Sequence, residues 1–162
     1  MVELISDLFI SNNFSNWNDF RFRDKFDLVF KNQYEAYLIK IYDHVPSINE
    51  IMEAQQYIYE YIVRLPNENA LKYNTNLIIC HAFDKTPEAL ILESDKYTCR
   101  KYFLNTSSEA TLKQDFKLLP FVDLSNAINN GNVVNLETIL IENLGTELYS
   151  KLISEESNFD SI

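Results

Sequence analysis

Asp27, Glu35 and Lys40 are the residues whose types come nearest to a hydrolytic site. Two carboxylates can hold a divalent ion, and an ammonium can steady charge on a phosphate under attack. That chemistry requires all three to converge on one point. Glu35 and Lys40 are five positions apart, and an odd spacing in a strand sends side chains to opposite faces. The position two beyond Glu35, where a Glu-x-Lys set would carry its lysine, is Tyr37. Solvated charges flanking a hairpin are therefore the expected reading of this trio.

Two other combinations fail for similar reasons. Cys80 beside His81 pairs a thiol with a base by type, yet strand neighbours point to opposite faces and cannot share a hydrogen bond there. His44, the only other histidine, has no acid or cysteine at ligand spacing. With Gly131 and Gly145 the only glycines, a glycine-rich phosphate loop is excluded. Cys80 and Cys99 lack CxxC spacing, so neither a zinc knuckle nor a disulfide framework is expected. No catalytic set, metal or cofactor emerges, and the chain reads as a non-enzyme.

The densest unusual segment is Glu93-Ser94-Asp95-Lys96-Tyr97-Thr98-Cys99-Arg100-Lys101-Tyr102-Phe103-Leu104. It gathers three cations and three aromatic residues within eight positions of an otherwise acidic protein. Its plain reading is an amphipathic strand with cations at one end of a sheet. Its functional reading is a docking strip of Lys96, Tyr97, Arg100, Lys101 and Tyr102, since Tyr and Arg dominate interface hot spots.

The elements that must position these residues follow from periodicity. Leu4, Ile5, Leu8 and Phe9 predict a short amphipathic helix ending in the polar run from Ser11 to Asn18. Alternation of Phe20, Phe22, Phe26, Leu28 and Phe30, then a run from Tyr34 to Tyr42, predicts an antiparallel hairpin whose second strand is central. Ser47 and Glu50 form a capping box ahead of a helix burying Ile48, Ile51, Met52, Gln55, Ile58, Tyr59 and Ile62, ended by Leu65-Pro66. Asn76 to Phe83 reads as a strand covered on both faces. Thr86 caps a helix with Pro87 in its first turn, running to about Asp95. Tyr97 to Leu104 alternates as a strand, and Thr106 with Glu109 predicts a third cap before a helix ending at Leu119-Pro120.

The fold class expected is α/β, a mixed sheet with a hairpin flanked by helices, over a core of residues 1–130. Residues 131–162 hold six acids against Lys151 alone and carry Leu136, Ile139, Leu140, Leu144, Leu148, Leu152 and Ile153 at helical spacing. They read as an acidic helical appendage of a single-domain protein, packed on the core or on a partner.

Composition bounds the function. The 162 residues are enough for one domain, and 46% apolar and 14% aromatic content sets the chain apart from disordered sequences. A formal charge of −10 and a pI near 4.6 oppose broad nucleic-acid binding, so contact with DNA is expected only locally or through a complex. Acids in the first seven residues and the absence of an apolar run of ~18 residues predict a chain neither secreted nor membrane-spanning. A reducing cytoplasm is the expected setting.

The hairpin, helix, strand, helix, strand order resembles a degenerate restriction-endonuclease-like core. More specifically, Asn76-Leu77-Ile78-Ile79-Cys80, Asp84-Lys85-Thr86-Pro87-Glu88-Ala89, Glu93 to Tyr102 and Leu118-Leu119-Pro120-Phe121 resemble the middle component of bacterial three-component ABC-ATPase systems. These include the small subunit of Lamassu-type anti-phage defence, and the resemblance covers roughly residues 75–121. It implies an accessory subunit bound to an SMC-like or Rad50-like ABC ATPase and to an effector, often a nuclease. Two alternatives stay open: a metal-dependent nuclease using Asp27 and Glu35, and an acidic inhibitor or DNA mimic using residues 131–162.

Overall fold

The computed structural model describes residues 1–122. The boundary expected at 130 and the acidic segment 131–162 lie outside them. The described elements are helix α1 (Val2–Ser11), strands β1 (Ser15–Asn16), β2 (Leu28–Lys31) and β3 (Ala36–Ile41), and helix α2 (Ile48–Ile62). A 3₁₀ turn, Ala70–Lys72, leads into β4 (Thr75–His81), α3 (Pro87–Ser94), β5 (Arg100–Asn105) and α4 (Glu109–Phe116).

The five strands lie side by side in chain order, β1 to β5. β1, β2 and β3 pair antiparallel, whereas β3, β4 and β5 pair parallel. The α/β expectation, with a hairpin feeding a mixed sheet, therefore holds, and β3 is central. Parallel neighbours need long crossovers, which α2 and α3 supply. β4 lies between two parallel partners under helices, and each of its seven residues is buried.

Alternation across the strands divides the core into two layers. Leu38, Leu77, Ile79 and Phe103 face α2 and α3, where Ile51, Ala54, Ile58 and Ala89 meet them. Tyr37, Ile39, Ile78, Cys80 and Leu104 face the other side, against Ile5 and Phe9 of α1 and Leu112 and Phe116 of α4. Phe9 is the hub of that second layer, stacked on Phe30 at 4.7 Å and edge-on to Phe116 at 5.3 Å. Among the described residues, no helix is long and apolar enough to cross a membrane.

Three expectations change in detail. Residues 20–25 form turns rather than a strand, with the amides of Lys25 and Phe26 both bonded to the Phe22 carbonyl at 3.0 Å. Their alternation mimicked a strand because Phe22 and Phe26, one helical turn apart, are the pair that points inward. The α2 stripe also splits. Ile51, Ala54, Ile58, Tyr61 and Ile62 are buried, but Ile48, Met52 and Tyr59 stay 48%, 54% and 45% exposed. The apolar arc is wider than a sheet covers, and Tyr61 is drawn inward by Phe22 and Trp17, with ring centroids at 5.0 and 5.6 Å.

The α4 cap is Ser108, not Thr106, and accepts the Thr111 amide at 3.1 Å. Thr106 is committed elsewhere, its amide extending the sheet onto the His81 carbonyl at 2.8 Å. Glu109 pairs with Lys113 one turn along instead of closing a capping box. The other two caps form as read. Ser47 and Glu50 make a reciprocal box, and Thr86 accepts the Ala89 amide with Pro87 in the first turn.

Candidate functional site

Where α3 ends, Asp95 leaves the helical conformation and its Oδ1 accepts the Tyr97 amide at 3.0 Å. This Asx turn opens the loop that returns the chain to the sheet. Lys101 enters from β5 beneath it. Its Nζ donates to the Asp95 carbonyl at 2.7 Å, to Asp95 Oδ2 at 3.2 Å and to the Cys99 carbonyl at 3.4 Å. Lys101 is only 1% exposed, so burying its charge depends on these three oxygens. The Tyr97 amide and the Lys101 ammonium together hold the Asp95 carboxyl below its usual range.

The consequence is a loop pinned from inside. It presents Tyr97 at 92% exposure, with Lys96 and Arg100 exposed beside it. Leu118, 72% exposed after α4, adds an apolar edge to a shallow depression of about 470 Å³ shared with Glu93, Lys96, Arg100 and Tyr102. The expected strip therefore divides between the loop and β5. Lys96, Tyr97 and Arg100 reach solvent, and Tyr102 is half-buried against the α1 and α4 layer, where burial raises its hydroxyl pKa. Lys101 is corrected from a surface contact to an internal anchor, because its odd position puts it on the α2 and α3 side.

Among the described residues β5 is the last strand of the sheet, so its outward amides would ordinarily invite another strand. Two of them are occupied by side chains. The Phe103 amide donates to Glu93 Oε1 at 3.4 Å and the Asn105 amide to Asp115 Oδ2 at 2.8 Å. Glu93 is itself held by Lys85 at 3.0 Å. A partner meeting this edge would engage the side chains of the 96–100 loop rather than add a strand.

The other candidates are held apart. Asp27 Oδ2 accepts the Ile41 amide at 2.7 Å and lies 4.0 Å from Lys40 Nζ. Glu35 stands at the opposite end of β3, bonded by the Tyr37 hydroxyl at 2.9 Å. The length of the hairpin separates the two carboxylates, since Leu28 pairs with Ile39 and Lys31 with Ala36. Cys80 and His81 point into opposite layers. Burial pushes the Cys80 thiol up to about 12, and His81 Nδ1 accepts the Phe83 amide at 3.3 Å. Burial likewise raises the Cys99 thiol to about 11 and lowers the His81 imidazole.

His44 has acidic neighbours that its sequence spacing concealed. Its ring nitrogens meet Asp43 Oδ1 at 2.8 Å and Glu50 Oε1 at 2.9 Å, and these bonds raise its pKa. Glu50, doubly engaged with Ser47 and then with His44, is depressed to about 2. The signal lay in the cap: Glu50 must fold back over Ser47, which brings its second oxygen to the residue three before the cap. Among the described residues, no group of three or more His, Cys, Asp or Glu side chains is arranged to hold a metal ion.

No protein-family model, curated protein or solved structure matches this chain.

Proposed function

We propose that this protein is a non-catalytic accessory subunit of a bacterial anti-phage defence complex. In this reading it bridges or regulates an SMC/Rad50-like ABC ATPase and an effector nuclease. The observation that carries it is the 95–100 loop. A buried lysine is spent on pinning a loop whose outward residues, Lys96, Tyr97 and Arg100, make no contribution to the core. Tyr and Arg at such positions are the residue types on which interfaces concentrate binding energy.

The restriction-endonuclease-like element order belongs to the same reading as a scaffold whose carboxylates are put to structural use. Asp27 holds a backbone amide, and Glu35 receives a tyrosine hydroxyl. DNA then reaches the subunit only through the ATPase, in keeping with a net charge of −10. A cytoplasmic location follows from the same role.

Co-expression with an SMC/Rad50-like ABC ATPase and an effector nuclease of such a system tests the proposal. A stoichiometric complex that Tyr97→Ala with Arg100→Glu disrupts is expected, and a stable monomer binding neither would overturn it. Incubating the isolated chain with DNA and magnesium or manganese tests the nuclease alternative. Cleavage that Asp27→Ala abolishes would replace the adaptor reading.

A further inference from the structure

The second concentration of cations lies at the other edge of the sheet, in the connection between β1 and β2. Phe20-Arg21-Phe22-Arg23-Asp24-Lys25-Phe26 turns Phe22 and Phe26 into the core and leaves Phe20 84% exposed, with Arg21, Arg23 and Lys25 around it. The Arg21 guanidinium lies 4.7 Å from the Tyr61 ring centroid, Lys25 Nζ 4.4 Å from that of Tyr57, and Lys31 Nζ 4.5 Å from that of Trp17. Trp17 packs edge-on against Tyr61 at 5.6 Å, so the Lys31 and Arg21 pairs share one aromatic floor, and Tyr57, one α2 turn before Tyr61, lines the same groove. Between loop and α2 runs a groove of about 260 Å³ lined by Arg21, Lys25, Tyr57, Glu60, Tyr61 and Arg64.

Charge is distributed unevenly between these cations and their surroundings. Residues 1–122 carry 17 acids and 13 bases, and five of those bases, Arg21, Arg23, Lys25, Lys31 and Arg64, gather here. Asp19 takes Arg21, with Nε to Oδ1 at 2.8 Å. The other four form no ion pair with a carboxylate among the described residues. Lys25, seated on the Tyr57 ring and donating to its hydroxyl at 3.0 Å, is already ordered, so an incoming anion immobilises little there, while Arg23 and Arg64 stand exposed beside it.

We infer that this groove is a docking site for an acidic peptide segment of a partner protein. Lys25 and Arg64 take its carboxylates within the groove, Arg23 takes one from the adjoining depression that it lines with Trp17 and Phe22, and an apolar side chain of the segment rests on Phe20. A peptide fits better than a single nucleic-acid strand. Glu60 lines the groove, and Asp24 and Glu53 act on Lys25. A phosphate backbone, charged at every residue, would meet these acids, whereas a peptide places its carboxylates selectively and turns amides towards them. The site is distinct from the 95–100 loop and stands without the adaptor reading; if both hold, the protein has a docking surface at each edge of its sheet.

Fluorescence anisotropy of the full chain against a labelled glutamate–tyrosine copolymer, with labelled oligothymidine in parallel, tests this. The copolymer should bind, weaken between about 50 and 200 mM salt, and lose about tenfold or more in affinity in Arg23→Glu with Arg64→Glu. Both arginines are exposed, and an unchanged thermal midpoint for that variant separates lost binding from lost fold. Lys96→Glu with Arg100→Glu should bind as wild type, which distinguishes this site from the proposed adaptor surface. No copolymer binding, binding that survives the Arg23 and Arg64 reversal, binding lost in the Lys96 and Arg100 variant, or tighter binding of oligothymidine would each overturn the inference.

Discussion

The 19–25 loop and the 95–100 loop are built on the same local device. In each an aspartate accepts the amide two residues ahead at 3.0 Å, Arg21 for Asp19 and Tyr97 for Asp95, and also pairs with a basic side chain. In each an aromatic residue is left almost fully in solvent, Phe20 or Tyr97. They differ in where the base sits. The Arg21 side chain is 43% exposed and lies across a tyrosine at the surface, whereas that of Lys101 is 0% exposed and comes from within the sheet. The same carboxylate turn is thus an adjustable surface clasp in one loop and a core-anchored strut in the other.

The sharpest way to break this comparison is Lys101→Ala. It strands two carbonyls and leaves a cavity in the α2 and α3 layer, so urea denaturation should show a loss of roughly 2 to 4 kcal/mol. Partner binding should fall as well, although Lys101 touches no solvent. A Lys101→Ala protein as stable as wild type would make the strut dispensable.

A pH titration separates these clasps from the His44 cluster. Glu50 is depressed to about 2 from an ordinary 4.5, so its capping contribution is present above 4.5 and lost as pH falls towards 2. His44 is raised, so its contribution is complete below its ordinary 6.5 and lost as pH rises through the higher folded value. Urea midpoints measured from pH 2 to 8 should fall on the acid side, and Glu50→Gln should flatten that limb.

Smaller effects complete the set. Asp19→Ala should cost about 1 kcal/mol, well below Lys101→Ala, because the Arg21 half of the pair is 43% exposed and screened by solvent although the Asp19 side chain is only 9% exposed, and Arg21 keeps its place on Tyr61. A loss as large as that of Lys101→Ala would erase the distinction between clasp and strut. Tyr97→Ala should leave stability within about 0.5 kcal/mol of wild type while weakening capture of the co-expressed partner. A marked fall in its melting temperature would mean that Tyr97 packs rather than presents.

Much of the scaffold was legible because its signals are local. Capping by Ser47 and Thr86 depends on atoms three residues apart, and the centre of β4, Leu77-Ile78-Ile79-Cys80, is apolar at each position whatever surrounds it. The α2 contact face was less legible, since its apolar arc exceeds what one sheet can cover and the choice falls to Trp17 and Phe22, distant in sequence. β1 carries no strand signal at all. It exists because the Phe14 ring is held in the core and the Trp17 amide meets the Val29 carbonyl at 2.8 Å. In the candidate site, the density of the 93–104 strip was visible in sequence, but the inward turn of Lys101 was not.

By itself, then, the sequence determined the period of the helices and of the central strands, the Ser47 and Thr86 caps, the order from β2 to α4, and the parity that separates Cys80 from His81. These are consequences of backbone geometry over a few residues. Only the tertiary structure decided which cation became the anchor, which flank of α2 stayed bare, and that Asp27 and Glu35 stand at opposite ends of the hairpin. Those outcomes depend on what burial and pairing each side chain finds across the sheet, and such neighbours are remote along the chain.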